Sequence, residues 1–491
     1  MINSIKNIIS RRPVFLILLP VFFVFHGYVE NWGLVPAGAA TQLALEYTGI
    51  ALLLGGLGWI IYRKSIKAGL FAFVLLCIQF FFGSVQDFLQ GAVPGSFFSR
   101  YIFLLPLVLL TVVLLVLWLK RTKHNFYRLA MYLTTLLLVL LMVDLVNLVI
   151  KKTKSPTPVR DESWAPTTDS TYPDVYLIVA DSYPGTTELN NLFGYDNSAF
   201  INGLRQRGFF VADSSRSNYN FTRFSVASLL NMNYLEGIRG SNSDKNDIAI
   251  CNNTLLKSNV VRFFTSHGYT FYNNAIFDFH DNNSVARPTF MAGKTKLITS
   301  QTLLYRLWRD LGFHLATTLK LGFIVKDLRY FDLRNNTKLY ERTLQAAADT
   351  TTRKFVYTHL MMPHYPYYFD SAGTAVPYSS LTDEQPFDKK AFLGYLQYAN
   401  RQYLSLVDSI LAKSKKPPLI IIMSDHGFRE LRDPVDSAFF FANFNALRLP
   451  AGRYQDFYPG VSLVNQFRII LNTEFEQRLP LLPDSTHFIR E

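Results

Sequence analysis

The sequence predicts a protein of two parts, a bundle of five transmembrane helices followed by an α/β domain outside the membrane. Apolar runs crowd the first 150 of the 491 residues, which is typical of membrane spans. Further along, short and continuously apolar segments alternate with stretches of helical periodicity, which predicts a mostly parallel sheet flanked by helices. We expect a transmembrane helical domain at 1–150, a Pro-, Ser- and Thr-rich linker at 151–173, and a globular domain at 174–491.

The apolar runs are each close to the length of about 20 residues with which a helix crosses a bilayer. Residues 101–119 contain no charged side chain, so this run is the clearest. The first run is short, and Glu46 interrupts the second. A cleaved signal peptide is the alternative for the first run, because an Arg-Arg pair precedes it and an Ala-Gly-Ala tripeptide at 37–39 follows. The five runs lie at 13–29, 44–62, 69–89, 101–119 and 127–150.

The segments that join these runs alternate in their content of Lys and Arg. The counts are 3, 0, 3, 1 and 4, from the segment before the first run to the segment after the fourth. Because positively charged loops stay in the cytoplasm, we expect a cytoplasmic N-terminus. Five crossings then place everything after residue 150 on the periplasmic or extracellular side. The tetrad KKTK at 151–154 goes against this rule, but the other segments outweigh it.

Net charge and cysteine content indicate the compartment. Of the formal net charge of +13, more than half belongs to residues 1–150, which hold 11 Lys/Arg and 4 Asp/Glu. No cluster of basic residues elsewhere favours a nucleic-acid partner. Cys77 lies in an apolar run and Cys251 in the outer part, so we expect no disulfide. An exported domain without a disulfide is more typical of a bacterium, and we expect a multi-pass protein of the bacterial inner membrane.

Two strand candidates, DVYLIVAD (174–181) and PLIIIMSD (418–425), both end in an aspartate. In an open α/β sheet, ligands bind at the carboxyl ends of the strands. We therefore expect Asp181, Asp425 and His426 to converge, and two carboxylates with an imidazole are a donor set for a divalent cation. The alternative is that polar residues follow strands because loops are polar, which explains one aspartate more easily than this group.

Three segments together carry a family resemblance: DVYLIVADSY (174–183), THLMMPHYPYYFD (358–370) and IIIMSDHG (420–427). They are similar to the first metal motif, the PHxPY segment and the last metal motif of the sulfatase-like branch of the alkaline phosphatase superfamily. With predicted spans in front of them, they resemble the membrane-anchored group of lipoteichoic acid synthases and phosphoethanolamine transferases. The resemblance covers most of 174–430, whereas residues 440–491 match poorly.

The resemblance implies a covalent nucleophile at the start of a helix, and SNYNFTRFSVASLLN (217–231) is the candidate stretch. Thr222 is followed at seven and eight residues by an apolar pair, as the family pattern requires. Coordination to a divalent metal can activate its hydroxyl as an alkoxide. The alternatives are that Thr222 is only the N-cap of the helix, or that Ser225 is the nucleophile. Arg223 is expected either to bind an anionic ester or to lie at the surface.

The resemblance also assigns a role to His364. It implies that this residue contacts the phosphate or sulfate of the substrate, or ligates a second metal ion, and the alternative is a solvent-facing loop residue. His359 lies inside a strand candidate and is interpreted as a core histidine. The expected cofactor is one divalent ion (Mn, Mg or Zn), with a second as a further possibility, held by Asp181, Thr222, Asp425 and His426.

Two departures from the family pattern bear on the reaction. The Cys/Ser-x-Pro-x-Arg motif that sulfatases convert to formylglycine is absent around Thr222, and no histidine after His426 completes a two-zinc site. Both favour transfer of a phospho-headgroup (phosphoglycerol or phosphoethanolamine) from a membrane phospholipid to a glycan, a lipid or water, through a phosphothreonine. Hydrolysis of a phosphate or sulfate ester is the enzymatic alternative. A non-catalytic membrane-anchored binding module is the alternative of another class.

Overall fold

The computed structural model divides the chain into two compact units, 1–155 with 291–322, and 156–290 with 323–491. The predicted domain bounds remain a prediction. No pattern in the sequence indicated that residues 291–322 belong to the same unit as residues 1–155. Most of the predicted linker lies outside the described residues. The structure describes residues 12–153, 164–165, 172–286, 295–381, 387–431 and 435–491.

Seventeen α-helices and six strands are assigned in the described residues. The helices are α1 Phe15–Glu30, α2 Ala37–Tyr62, α3 Ser65–Ala92, α4 Tyr101–Arg121, α5 Tyr127–Thr153, α6 Thr186–Phe193, α7 Ser198–Gln206, α8 Thr222–Asn231, α9 Lys245–Leu256, α10 Asn259–Ser266, α11 Lys296–Thr299, α12 Leu303–Leu307, α13 Phe313–Thr318, α14 Gly322–Arg329, α15 Phe331–Ala348, α16 Lys389–Lys413 and α17 Leu463–Glu474. The strands are β1 Val175–Ala180, β2 Phe210–Val211, β3 Thr270–Asn274, β4 Lys354–Leu360, β5 Leu419–Met423 and β6 Asn445–Arg448.

Among the described residues, four helices, α2 to α5, are long and apolar enough to cross a membrane. The prediction of five spans is therefore wrong in its count. The first apolar run forms α1, whose 16 residues extend only about 24 Å, against a hydrocarbon core of about 30 Å. The Lys/Arg alternation around the four long helices still predicts that α5 ends on the outer side of the membrane, whether or not α1 also crosses it.

Helix α1 packs among the longer helices. The Phe23 ring stacks on Phe80 of α3 with ring centres 4.4 Å apart. His26 Nδ1 lies 3.1 Å from a carboxylate oxygen of Asp144 in α5. Lys151 of α5 donates to the carbonyl of Val29 at 2.8 Å. The C-terminal ends of α1 and α5 therefore lie side by side.

The second unit contains a six-stranded sheet in the order β2-β6-β5-β1-β4-β3. Strands β3, β4, β1 and β5 run parallel, while β6 and β2 are antiparallel to their neighbours. All residues of β1, β4 and β5 are buried, which explains why β1 and β5 are apolar without alternation. The predicted fold class, a mostly parallel sheet flanked by helices, is confirmed.

Candidate active site

Asp181 and Asp425 meet at the carboxyl ends of β1 and β5. These strands pair in parallel with Val179 opposite Met423, so the residues that follow them emerge at the same edge. Both aspartates are buried. Ser182 joins them, since its N–H donates to Asp425 Oδ1 at 3.1 Å and its hydroxyl to Asp181 Oδ1 at 3.1 Å. The backbone of Ser182 has φ of 57°, in the left-handed region that non-glycine residues seldom adopt.

His359 also belongs to this group, although the sequence reasoning placed it in the core. It is fully buried in β4, opposite Val179 of β1. Its Nε2 lies 3.0 Å from Asp181 Oδ2, and its Nδ1 lies 3.0 Å from the Tyr357 hydroxyl. Donor atoms of Asp181, His359 and Asp425 all lie within 4.8 Å of one another. One feature of the sequence could have indicated this role for His359. It lies one residue before the end of β4, the strand that neighbours β1 in the sheet.

The hydrogen bonds of Asp181 favour its ionised form. Burial acts to raise the pKa of this carboxyl group, but the hydrogen bond from His359 and the interaction with His364 outweigh burial. The pKa of Asp181 therefore lies below its usual range. A carboxylate that is ionised in a buried position is the form that binds a cation.

His426 presents an unprotonated nitrogen to the same group. Its Nδ1 lies 2.7 Å from the carbonyl oxygen of Gly427, which only accepts, so Nδ1 carries the hydrogen. Burial lowers the pKa of His426; Asp425 opposes this effect and Arg429 adds to it. In the neutral ring, Nε2 offers its lone pair 3.2 Å from Thr222 Oγ1 and 3.3 Å from Asp425 Oδ2.

Thr222 is the first residue of α8 and is buried. The N-cap residue is Phe221, and its side chain makes no capping hydrogen bond. Thr222 is therefore not the N-cap residue, which was the alternative to a nucleophile. Ser225 differs, because its hydroxyl donates to the carbonyl of Asp425 at 2.6 Å and to that of Tyr219 at 3.2 Å. Of the two candidate hydroxyls, that of Thr222 contacts an imidazole of the site, while that of Ser225 ties α8 to the loop after β5.

The loop after β5 depends on Gly427 and on a buried glutamate. A Cβ at Gly427 would lie 2.0 Å from the carbonyl oxygen of Phe439, so only glycine fits there. Glu188 in the first turn of α6 accepts from the Phe428 N–H at 3.1 and 3.3 Å. Burial raises the pKa of Glu188 well above its ordinary value, although backbone donors oppose this shift. These contacts fix the backbone that carries Asp425 and His426.

His364 lies in the loop after β4, with 28% of its side chain exposed. Its Nδ1 lies 2.6 Å from the carbonyl of Tyr365, and its Nε2 lies 3.7 Å from Glu430 Oε1. Burial acts to lower its pKa, but the carboxylates of Asp181 and Glu430 outweigh burial and raise it. The two carboxylates therefore favour the protonated form of His364, and its side chain is neither fully solvated nor part of the core.

The structure gives the two arginines near Thr222 different surroundings. Arg223 donates to Asn252 of α9, and burial lowers its pKa. Arg429, which the sequence reasoning did not single out, has its guanidinium carbon 3.9 Å from the ring centre of Phe221. Its Nε is buried and has no hydrogen-bond partner within the described part of the chain. Burial lowers the pKa of Arg429, while Asp425 opposes that effect.

The residues of the site fit a divalent metal ion. Asp425 Oδ2 is buried and accepts no hydrogen bond from any described residue. It lies 3.3 Å from His426 Nε2, which carries no proton in the neutral ring. A buried carboxylate oxygen without a donor is costly unless a cation balances it. Two carboxylates, imidazole nitrogen and a hydroxyl are donors that Zn, Mn or Mg accept in proteins.

No model of a known protein family matches the chain, and no curated protein matches it. Solved structures do resemble it. The zinc complex of the C-terminal periplasmic domain of EcEptC from Escherichia coli is 13% identical, with a TM-score of 0.39, over 64% of this chain and 86% of that one. The corresponding domain of the phosphoethanolamine transferase EptC from Campylobacter jejuni is 14% identical, with a TM-score of 0.35, over 64% and 92%. A putative sulfatase from Bacteroides thetaiotaomicron is 12% identical, with a TM-score of 0.38, over 65% and 74%.

Proposed function

We propose that this protein is a membrane-bound, metal-dependent phosphotransferase. It moves a phospho-headgroup, phosphoglycerol or phosphoethanolamine, from a membrane phospholipid to a glycan or lipid hydroxyl, or to water. The observation that supports this most directly is the Thr222 hydroxyl at 3.2 Å from His426 Nε2, beside two buried aspartates. A hydroxyl, an unprotonated imidazole and two carboxylates in one buried group have the composition of a nucleophile with its metal site.

Asp181, Asp425, His426 and Thr222 would hold the ion. When bound, a divalent ion at these donors lowers the pKa of a coordinated hydroxyl and polarises a phosphoryl oxygen. His359 donates from Nε2 to Asp181 Oδ2, which fixes the rotation of that carboxylate. Tyr357 in turn donates to His359 Nδ1, which leaves the hydrogen of the ring on Nε2.

The proposed reaction has two in-line displacements at phosphorus. In the first, Thr222 Oγ1 forms a bond to phosphorus while the bond to the glycerol oxygen of the diacylglycerol breaks. That oxygen leaves with the electron pair and takes up a proton, which balances the proton that the hydroxyl loses. In the second, an acceptor hydroxyl or water attacks the phosphothreonine, and the threonine oxygen regains a proton.

Positive charge around Thr222 would bind the anionic phosphoryl group. Arg429 offers a buried Nε without a partner in the described residues, and it stacks on the residue before the nucleophile. His364 adds a side chain whose protonated form is favoured by Asp181 and Glu430. The free N–H groups at the start of α8 face an anion favourably. Arg223 remains a candidate for the same role, although its described hydrogen bond goes to Asn252.

The test uses the purified full-length protein with a membrane lipid extract and Mn²⁺, Mg²⁺ or Zn²⁺. We expect release of diacylglycerol, and a stalled reaction should carry the headgroup adduct on the peptide that contains Thr222. Thr222→Ala should lose at least about 10³-fold in turnover, since a nucleophile acts as a unit with its activating groups. Full activity of Thr222→Ala would overturn the proposal.

An aryl sulfate serves as the competing substrate. A threonine cannot become formylglycine by the Cys/Ser route, so sulfate turnover should be far slower than phosphodiester turnover. Faster turnover of the aryl sulfate would favour the sulfate ester hydrolase. Metal binding without turnover of either substrate class would favour the non-catalytic binding module.

A further inference from the structure

We call the unit of 1–155 with 291–322 the helical unit, and the unit of 156–290 with 323–491, which contains the sheet, the outer unit. Residues 295–322 separate two stretches of the outer unit in sequence, but they belong to the helical unit. Ile298 is buried in the core of that unit. Its side chain lies so close to Gly27 of α1 that a Cβ there would come within 2.8 Å of it. The N–H of Gly83 in α3 donates to the carbonyl of Gln301 at 2.8 Å. The two glycines are therefore close contact points for the segment.

Buried polar pairs hold the same segment. The guanidinium of Arg306 is 7% exposed and binds both carboxylate oxygens of Asp87 in α3, at 2.8 and 2.6 Å. It also donates to the carbonyl of Ser300 at 2.8 Å. Tyr101, the first residue of α4, donates to Asp310 at 2.6 Å. A bidentate arginine–carboxylate pair with one partner buried fixes both position and orientation.

All of these contacts lie at one end of the bundle. Gly27 is near the C-terminus of α1, Asp87 is near the C-terminus of α3, and Tyr101 begins α4. The opposite end carries most of the basic residues, and there Lys67 donates to the carbonyls of Leu119 and Thr122 at 2.8 and 2.6 Å. Because the basic end faces the cytoplasm, the segment lies at the outer ends of the helices.

The segment turns large apolar side chains away from these contacts. Leu304 is 67% exposed, Trp308 54%, Leu315 55% and Leu319 64%. These four side chains lie along one helical stretch, which consists of α12, a π turn, α13 and the residue that caps α13. Ile102, next to Tyr101 in the spanning helix α4, is 72% exposed as well. The apolar surface of the segment therefore adjoins a helix that faces lipid.

We propose that residues 303–319 lie in the interface of the outer leaflet, with Leu304, Trp308, Leu315 and Leu319 among phospholipid acyl chains. A tryptophan at the end of a spanning bundle is typical of the headgroup level. Arg309 beside Trp308 is half exposed and pairs with Asp310 in the same stretch. Burying four such side chains in lipid is favourable, whereas exposing them to water together is not. This assignment does not depend on the proposed reaction.

Fluorescence quenching tests the proposal on the full-length protein in nanodiscs. The chain has five tryptophans, and a variant that keeps only Trp308 has the others replaced by phenylalanine. We expect its emission to be lost in phospholipid with a nitroxide near the headgroup, and to be lost less with a nitroxide deep in the chain. A variant that keeps only Trp118, which is 51% exposed on α4, is the positive control. One that keeps only Trp164, which packs on Phe263 with ring centres 5.1 Å apart, is the negative control.

The proposal would be overturned if neither nitroxide lipid changed the emission of Trp308 while the emission of Trp118 was quenched. A second measurement needs no substitution: a phospholipid with a diazirine in its acyl chain is irradiated with the unaltered protein. Lipid adducts on the peptide containing residues 303–319 support the assignment. Adducts confined to the spanning helices contradict it.

Discussion

Replacing His359 by leucine should weaken binding of a divalent ion at the candidate site by about 10- to 100-fold. Asp181 is buried, and its Oδ2 receives a 3.0 Å hydrogen bond from this histidine. Leucine leaves the carboxylate without that donor, and losing a hydrogen bond to a buried charged group costs about 1.5–3 kcal/mol. Since about 1.4 kcal/mol is a factor of ten in affinity, the two magnitudes agree.

Glutamine at the same position is the matched control, because its amide nitrogen can take the place of Nε2 as a donor. We expect His359→Gln to keep most of the affinity, and Tyr357→Phe, which removes the hydroxyl 3.0 Å from His359 Nδ1, to cause a smaller loss than leucine. The assay is titration of the apo protein with zinc against a chromophoric chelator. Melting temperatures without metal separate misfolding from lost affinity.

Wild-type affinity in His359→Leu would refute the reasoning. A loss in His359→Gln as large as in His359→Leu would also refute it, because the imidazole itself would then be a metal ligand. Either result would mean that the hydrogen bond from His359 does not hold the Asp181 carboxylate in place for metal binding.

Three other predictions concern separate features. Arg429→Gln should raise the KM for a phospholipid donor more than Arg223→Gln, because the Arg429 Nε lacks a partner within the described residues whereas Arg223 already binds Asn252; equal effects in steady-state kinetics would contradict this. Burial raises the pKa of Glu188, so the folded state binds its proton more tightly and stability falls as pH rises from the ordinary glutamate pKa toward the raised one. Glu188→Gln should therefore stabilise the protein more at pH 8 than at pH 5 in thermal melts, and a pH-independent difference would contradict the assignment. A reporter enzyme fused after residue 160 should be active only outside the cytoplasm, and a cytoplasmic signal would reverse the topology.

Sequence reasoning located Asp181, Asp425 and His426 because strands buried on both faces have an unbroken apolar pattern that ends where the site begins. It missed the role of His359, since a histidine within a buried strand has the same pattern whether it fills the core or contacts a carboxylate. Only the parallel register of β4 against β1 brings it to Asp181. Register depends on long-range pairing, which no local pattern encodes.

The count of spans failed for another physical reason. The first apolar run predicts a helix correctly, but it does not show where the helix ends, and Glu30 closes α1 after 16 residues. The docking of residues 295–322 on the helical unit could not be predicted either. Its anchors, Ile298, Arg306 and Asp310, are single residues whose partners lie about two hundred positions or more away in the chain, such as Asp87 and Tyr101.

The attachment of this segment also affects how the outer unit can be produced in soluble form. Truncation before residue 156 removes α1 to α5 but keeps residues 295–322 in the remaining chain. Ile298 would then lose the apolar neighbours that bury it, and Arg306 would lose Asp87. A truncated protein of this kind would expose new apolar surface in addition to Trp308 and the exposed leucines. It should therefore precipitate when it is concentrated. A shortened chain that also replaces residues 291–322 with a short polar connection should stay in solution.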